Sequence, residues 1–322
     1  MKRILRSIAA AVVLVYLLPV SAWATEFLVP VGRIIGLQLQ DESVTVAAFD
    51  DTFGTFAREA GIKIGDEIVT VDGHDVDCAD DIRQAIRDSE GQVSLTLRRN
   101  GKTRSVKITP AQTESGPRLG VYLRQGIAGI GTVTWYDPDT GKFGTLGHGV
   151  SDAKGNLLKM TGGNAYEAEI LTVKKGRSGE PGQLKGTAEN MDICGELLRN
   201  TPQGVFGVSK RGWRGEPLPV ADFGEIHTGE AVILSTVSVN EPREYSVEIL
   251  KIYPKDRSDN RNFLLKVTDP QLLEITGGIV QGMSGSPLLQ DGKIIGAVTH
   301  VLVNSPDTGY GIFIENMLDA AS

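Results

Sequence analysis

The hexapeptide Gly282-Met283-Ser284-Gly285-Ser286-Pro287 sets a serine directly before one glycine and two positions after another. Glycine opens turns that a side chain forbids, so successive N–H groups here can point into one small volume. Amides gathered in this way stabilise the oxyanion of an acyl-transfer intermediate. Gly282 and Ser284 are the expected donors, and the Ser284 hydroxyl is the expected nucleophile. Downstream, 288–290 reads as a strand, Asp291-Gly292 as a tight turn and 293–301 as a second strand. Upstream to Pro117 nearly everything reads as strand: 130–136 before the turn Asp137-Pro138-Asp139-Thr140-Gly141, then 165–174, 231–239, 245–253 and 263–267. A short helix is expected over 314–320. Many short strands with Gly-rich turns predict a mainly β chain with a β-barrel domain.

The serine run resembles the Gly-Asp-Ser-Gly-Gly-Pro signature of chymotrypsin-like serine proteases, and the hairpin after it is what that fold has after its nucleophile. The resemblance implies a double β-barrel peptidase domain over 118–322. It also implies a substrate cleft lined by Thr299, His300 and Val301, since the second hairpin strand of that fold pairs with substrate backbone. Met283 stands where the signature has Asp. Methionine cannot bind a freed amino terminus, so activation by that ion pair is not expected.

A serine nucleophile needs a base, and the chain has four histidines. His74 falls in a turn and reads as solvated; His227 falls in a polar loop. His148, in Leu146-Gly147-His148-Gly149, has glycines on both sides that allow another strand to approach closely. It is the expected base, and His300 is the rival. The base needs an acceptor that fixes its tautomer. Asp269, in Val267-Thr268-Asp269-Pro270, ends a strand 15 residues before Ser284 and is preferred. Asp152, four residues after His148, is the alternative, although so local an Asp more often closes a turn.

Residues before the linker Ala111-Gln112-Thr113-Glu114-Ser115-Gly116-Pro117 have mixed patterns. A helix is expected over 55–60 and another over 80–89, where Ile82, Ala85 and Ile86 share a face. Asp72-Gly73 and Asn100-Gly101 are hairpin turns. The order of these elements around Ala60-Gly61-Ile62-Lys63-Ile64-Gly65-Asp66-Glu67-Ile68-Val69-Thr70-Val71-Asp72-Gly73 resembles a PDZ domain over 30–110. That resemblance implies a peptide groove at Val31, Gly32, Ile34, Ile35, Gly36 and Leu37, where a strand edge accepts a peptide. A PDZ-like spacer with a blocked groove is the competing reading.

The formal net charge of −7 and the lack of a basic block argue against nucleic acid as a partner. Two Cys and four His, with no metal-binding spacing, predict no metal and no cofactor. Cys78 and Cys194 read as small hydrophobes rather than a bridge. At the amino terminus, Lys2, Arg3 and Arg6 precede an apolar run over 8–18, followed by Ala22-Trp23-Ala24. Residues 1–25 read as a signal peptide or an uncleaved membrane anchor, and either exports the remainder.

Taken together, the amino-terminal apolar segment, the PDZ order, Leu146-Gly147-His148-Gly149 and the run from Gly277 through His300 resemble the SpoIVB peptidase family of endospore-forming bacteria. The resemblance implies a serine endopeptidase with a triad of His148, Asp269 and Ser284, made in the forespore and exported into the space between the sporulation membranes. It further implies self-cleavage and cleavage of a membrane-bound inhibitory partner, which releases an intramembrane metalloprotease to mature sigma factor K. Alternatives are a non-catalytic PDZ scaffold and an HtrA-like quality-control protease of the envelope.

Overall fold

The computed structural model describes residues 26–89, 91–152, 155–188, 192–238 and 241–322. The expected export signal lies outside the described residues. Among those described, no helix is long and apolar enough to cross a membrane.

The chain is mainly β, and it builds two barrels and a PDZ domain. In the first barrel, strand Ile34–Asp41 pairs with Ile127–Tyr136, which pairs with Lys142–Thr145, Gly204–Ser209, Ile193–Thr201 and Met160–Glu167 in turn. Met160–Glu167 closes the ring on Ile34–Asp41. The second barrel runs Gly229–Ser235, Arg243–Ile252, Phe263–Val267, Ser305–Phe313, Lys293–Leu302 and Pro287–Gln290, and closes on Gly229–Ser235. Each barrel fills its interior with apolar side chains, Val133, Phe143 and Leu197 in the first and Val247, Phe263 and Leu288 in the second. The serine hairpin forms as the sequence predicts. Asp291 and Gly292 both take positive φ, 51° and 75°, the backbone of the type I′ turn whose twist suits adjoining strands.

The PDZ sheet has the order Val121–Arg124, Val44–Phe49, Glu67–Val71, Val93–Arg99, Lys102–Ile108. Its helix Ala79–Asp88 buries Ile82 and Ile86, and Asp81 reaches back to the amides of Asp77 and Cys78 at 2.9 and 2.7 Å, satisfying donors that a helix start leaves open. Asp66 is fully buried and held by Arg99 at 2.5 and 2.6 Å and by the Lys63 amide at 2.8 Å.

Two expectations are corrected. The groove placed at Val31, Gly32, Ile34, Ile35, Gly36 and Leu37 is not in the PDZ sheet. Ile35, Gly36 and Leu37 pair on one side with Gly131, Ile130 and Gly129, and on the other with Glu167, Tyr166 and Ala165. Both edges of that strand are filled, so no peptide can add there. Val31 and Gly32 donate to the Thr134 and Val133 carbonyls, within the same barrel. The PDZ domain is therefore inserted between two neighbouring strands of the first barrel, rather than preceding the peptidase from residue 30. The chain leaves after Asp41 and returns at Gly126. Gln125 pins this crossing by donating to the Asp77 carbonyl at 2.8 Å and accepting from the Ala79 amide at 3.2 Å. Gly126 takes φ +97°, and a Cβ there would stand 1.8 Å from the Leu39 carbonyl oxygen.

Cys78 and Cys194 are both free thiols. Cys194 is buried in the first barrel, and burial is the main cause that pushes its thiol up to about 11.

Candidate active site

Ser284 lies on the turn that leads into Pro287–Gln290, and four of the amides around it are spent on holding that turn. Gln281 donates to the Gly182 carbonyl, Met283 to Val280, Gly285 to Val298 and Ser286 to Met283. Among the described residues, the amides of Gly282 and Ser284 make no such bond. Their directions follow from their neighbours, because the C=O and N–H of a trans peptide point opposite ways. The Gln281 carbonyl accepts from Leu184 and the Met283 carbonyl from Ser286, so the N–H groups of Gly282 and Ser284 are turned away from those partners and left open. These are the two donors expected from sequence.

The first barrel braces the same turn. Thr132, 1% exposed, donates its hydroxyl to the Gly282 carbonyl at 2.8 Å and its amide to the Ser284 carbonyl at 2.9 Å. Gly285 permits this contact. It has φ +95°, and a Cβ on it would stand 2.1 Å from the Thr132 oxygen and 2.5 Å from the Leu146 nitrogen. Met283, at the position of the signature aspartate, is fully buried in the second-barrel core. In place of an ion pair, the turn is held by Met283 packing, by Thr132, and by Gly182 and Leu184 bonded to Gln281. None of these last three residues was legible as part of the site, because their roles rest on backbone groups or a single hydroxyl.

His148 follows strand Lys142–Thr145 through Leu146 and Gly147, both at positive φ, 70° and 67°. A side chain on Gly147 would stand 2.9 Å from Thr299 and 3.0 Å from Ile312, so the glycine brings the loop against the second barrel as expected. His148 and Ser284 line one cleft of about 400 Å³ together with Leu37, Ile130, Gly282, Thr299, His300 and Val301. The Ser284 hydroxyl donates to the Thr299 carbonyl at 2.9 Å. His148 Nδ1 lies 3.0 Å from the Gly149 carbonyl. With Nδ1 donating there, Nε2 carries the lone pair a general base needs. Burial lowers the His148 pKa, against the Gly149 bond, which raises it. The imidazole is therefore neutral and basic at neutral pH.

Asp269 does not join this group. It ends its strand before Pro270 as expected, but its carboxylate accepts from the Leu272 amide at 2.9 Å and the Ser246 amide at 3.4 Å, capping the helix Pro270–Thr276. An Asp followed by Pro is also a helix-start pattern, with Pro at the first helical position, and that is the use the fold makes of it. Asp152 accepts from the Asn156 amide at 2.9 Å, the local turn role foreseen for it. Among the described residues, neither cleft histidine donates to a carboxylate. His300 lies with its ring centroid 5.2 Å from that of His148. His74 is exposed on the PDZ strand His74–Asp75. His227 is an exposed partner of Asp291 at 2.8 Å, outside the cleft.

Comparisons with known proteins find two family models and several partial relatives. A family model described as SpoIVB peptidase S55 matches residues 115–318, and a PDZ domain model matches 54–99. The Agrobacterium fabrum protein Atu1380, whose name places it among zinc metalloproteases, is 31% identical over 107 residues, 33% of this chain and 27% of that protein. The zinc metalloprotease RasP of Geobacillus kaustophilus is 37% identical over 67 residues, 20% of this chain and 16% of that one. The chain thus spans well under half the length of these relatives. Among solved structures, the Rv3671c protease in an inactive form is 14% identical with a TM-score of 0.33, covering 61% of this chain and 85% of that one. The PDZ domain of a Listeria monocytogenes SdrC-like protein is 21% identical with a TM-score of 0.23, covering 26% of this chain and 87% of that one.

Proposed function

Because the chain belongs to the SpoIVB peptidase S55 family, we infer that it is an exported serine endopeptidase in which Ser284 attacks the scissile carbonyl and His148 moves the proton. The Ser284 oxygen bonds to the carbonyl carbon as His148 Nε2 takes the hydroxyl proton, and the negative oxygen is received by the Gly282 and Ser284 amides. Collapse breaks the C–N bond, and the departing amine takes the proton from His148. Water, deprotonated by His148, then releases the acyl group and restores the serine. The observation that carries this reading is the pair of unspent amides beside a serine that shares its cleft with a neutral histidine.

The substrates proposed are this chain itself and a membrane-bound inhibitory partner, whose cleavage releases an intramembrane metalloprotease during sporulation. Family membership and the apolar amino-terminal segment support this reading and the export it needs. For the PDZ domain, the sheet edge Val121–Arg124 supports peptide addition better than the filled strand Ile34–Asp41.

The test is cleavage of the full chain and of the extracytoplasmic segment of such a partner by purified wild-type protein and Ser284→Ala. Wild type produces defined fragments and Ser284→Ala produces none while folding normally. Equal cleavage by both rejects the mechanism, and a folded wild type without any cleavage favours a PDZ scaffold.

A further inference from the structure

The cleft wall that meets Ser284 from the second barrel has an open edge. Strand Lys293–Leu302 pairs with Ser305–Phe313 along one side. Its other side is taken by Pro287–Gln290 as far as Ala297, and then by Gly285 and Ser286 at Val298. Over 299–301, among the described residues, no strand pairs with that side. An extended peptide can add there, beside the Thr299 carbonyl that receives the Ser284 hydroxyl at 2.9 Å. An extended residue carries its side chain out of the plane of its own carbonyl. With that carbonyl oxygen on the Gly282 and Ser284 amides, the side chain next to the reacting carbon enters the space between 299–301 and the segment 279–281.

That space is shallow, and Ile279 is what closes it. Ile279 lines the cleft and is 3% exposed. Its Cδ1 reaches strand Ser305–Phe313 at Gly309, where a Cβ would stand 2.6 Å from it. Gly309 is the register partner of Val301, so the isoleucine spans the gap beneath the open edge. The backbone holds it there. Its amide donates to the Pro306 carbonyl at 2.7 Å, and a Cβ on Gly278 would stand 2.0 Å from that same oxygen. The walls also carry no charge. Among the described residues, no Asp, Glu, Lys or Arg lines the cleft. Burial lowers the pKa of both its histidines, that of His300 to about 4, so both are neutral at neutral pH. A charged side chain entering here would lose its water without gaining a partner.

We propose that Ile279 is a specificity residue of this peptidase: it floors the pocket for the side chain just before the scissile bond and selects small apolar residues there, alanine and valine, over bulky or charged ones. The proposal rests on the peptidase reading of Ser284 and His148 and adds the class of sequence that they cut. Leucine and phenylalanine are excluded by the tip of the isoleucine, because a close-packed wall yields no room for a further branch or ring. Lysine, arginine and the acids are excluded by the uncharged lining.

The experiment measures kcat/KM of the full chain on internally quenched peptides that differ only in the residue before the scissile bond, Ala, Val, Leu, Phe, Lys or Asp, with the cut position read by mass spectrometry. Wild type should cut the Ala and Val peptides on the order of 10²-fold faster than the Phe and Lys peptides, since misfits in such a pocket are worth about 10–200-fold. Ile279→Ala should raise the Leu and Phe values relative to Ala on the order of 10–10²-fold and leave the Lys and Asp peptides poor, because it opens space without adding charge. The ratio between two peptides on one preparation does not depend on the fraction folded, so a merely structural role for Ile279 would not move it. Should Ile279→Ala fail to fold, the smaller change Ile279→Val decides, by the direction of its shift toward Leu. The assignment is overturned by a wild type that prefers Leu, Phe, Lys or Asp at this position, or by folded Ile279 variants that keep the wild-type ratios. Cleavage that persists in Ser284→Ala, or a wild type that cuts none of the peptides, would instead refute the underlying peptidase reading.

Discussion

Gly285 does at one position what several side chains could not. Its missing Cβ lets the Thr132 carbonyl and the Leu146 amide close on the serine turn from the first barrel. Gly285→Ala is expected to abolish peptide cleavage, since both the clash and the φ of +95° push the turn away from the cleft; wild-type kcat in that variant would show the contact to be dispensable. Thr132→Val removes the hydroxyl that holds the Gly282 carbonyl. It leaves a buried acceptor unpaired, at about 1–3 kcal/mol, and should lower kcat more than it raises KM. The acid limb of wild-type kcat/KM should fall below 6.5, the ordinary imidazole value, because burial lowers the His148 pKa and only the neutral form is a base; a limb above that value contradicts the geometry. At this scale the sequence was legible where glycine marked the backbone. Gly282, Ser284 and His148 were singled out because glycines flank the reactive side chains, and the structure sets all three on one cleft. The helix that Asp269 caps was not foreseen, because Asp-Pro serves a strand end and a helix start equally well. Thr132 carries no local signal, since its partners lie 150 residues on in the chain.

Single elements decide how the site is held and where the peptide goes. The hairpin of strands Glu169–Lys174 and Gln183–Thr187 reaches from the first barrel to the serine turn, where Gly182 and Leu184 bond Gln281. A side chain on Gly182 would stand 2.5 Å from the Gly176 amide and from Val280. Gly182→Val should therefore displace this clasp and reduce kcat, as steady-state kinetics would reveal. In the PDZ domain, Asp66 is a stability element. Burial opposes its charge, but Arg99 and the Lys63 amide outweigh that and lower its pKa. A carboxylate lowered on folding contributes stability that is present above its unfolded pKa and is lost as pH falls through the folded value. Asp66→Asn should cost about 3 kcal/mol of unfolding free energy at neutral pH, with a smaller loss at low pH where wild type has already surrendered the contribution. The hairpin turns were plain in the sequence, Asp72-Gly73 and Asn100-Gly101 adopting positive φ at both positions. The partner of strand Ile34–Asp41 was not plain, because alternation reports that a strand is half-buried and not which sheet it joins.

Across the whole molecule, the two strands that carry the chain into and out of the PDZ domain also wall the cleft that holds Ser284 and His148. Leu37 and Leu39 come from Ile34–Asp41, and Ile127 and Ile130 from Ile127–Tyr136. Their apolar side chains predict a preference for apolar residues in the substrate, which a peptide library would display. A β-barrel domain was legible from the many short strands, and the double barrel followed from the resemblance of the serine run; the insertion was hidden, because closing a barrel depends on pairings between distant segments. The account stands most directly on the chemistry of one hydroxyl, which mass-spectrometric mapping of a fluorophosphonate adduct on the folded full-length protein tests. A single adduct on Ser284, absent in Ser284→Ala and formed far more slowly in His148→Ala, is the predicted result; an unlabelled wild type, or an adduct on another serine such as Ser286, would contradict it.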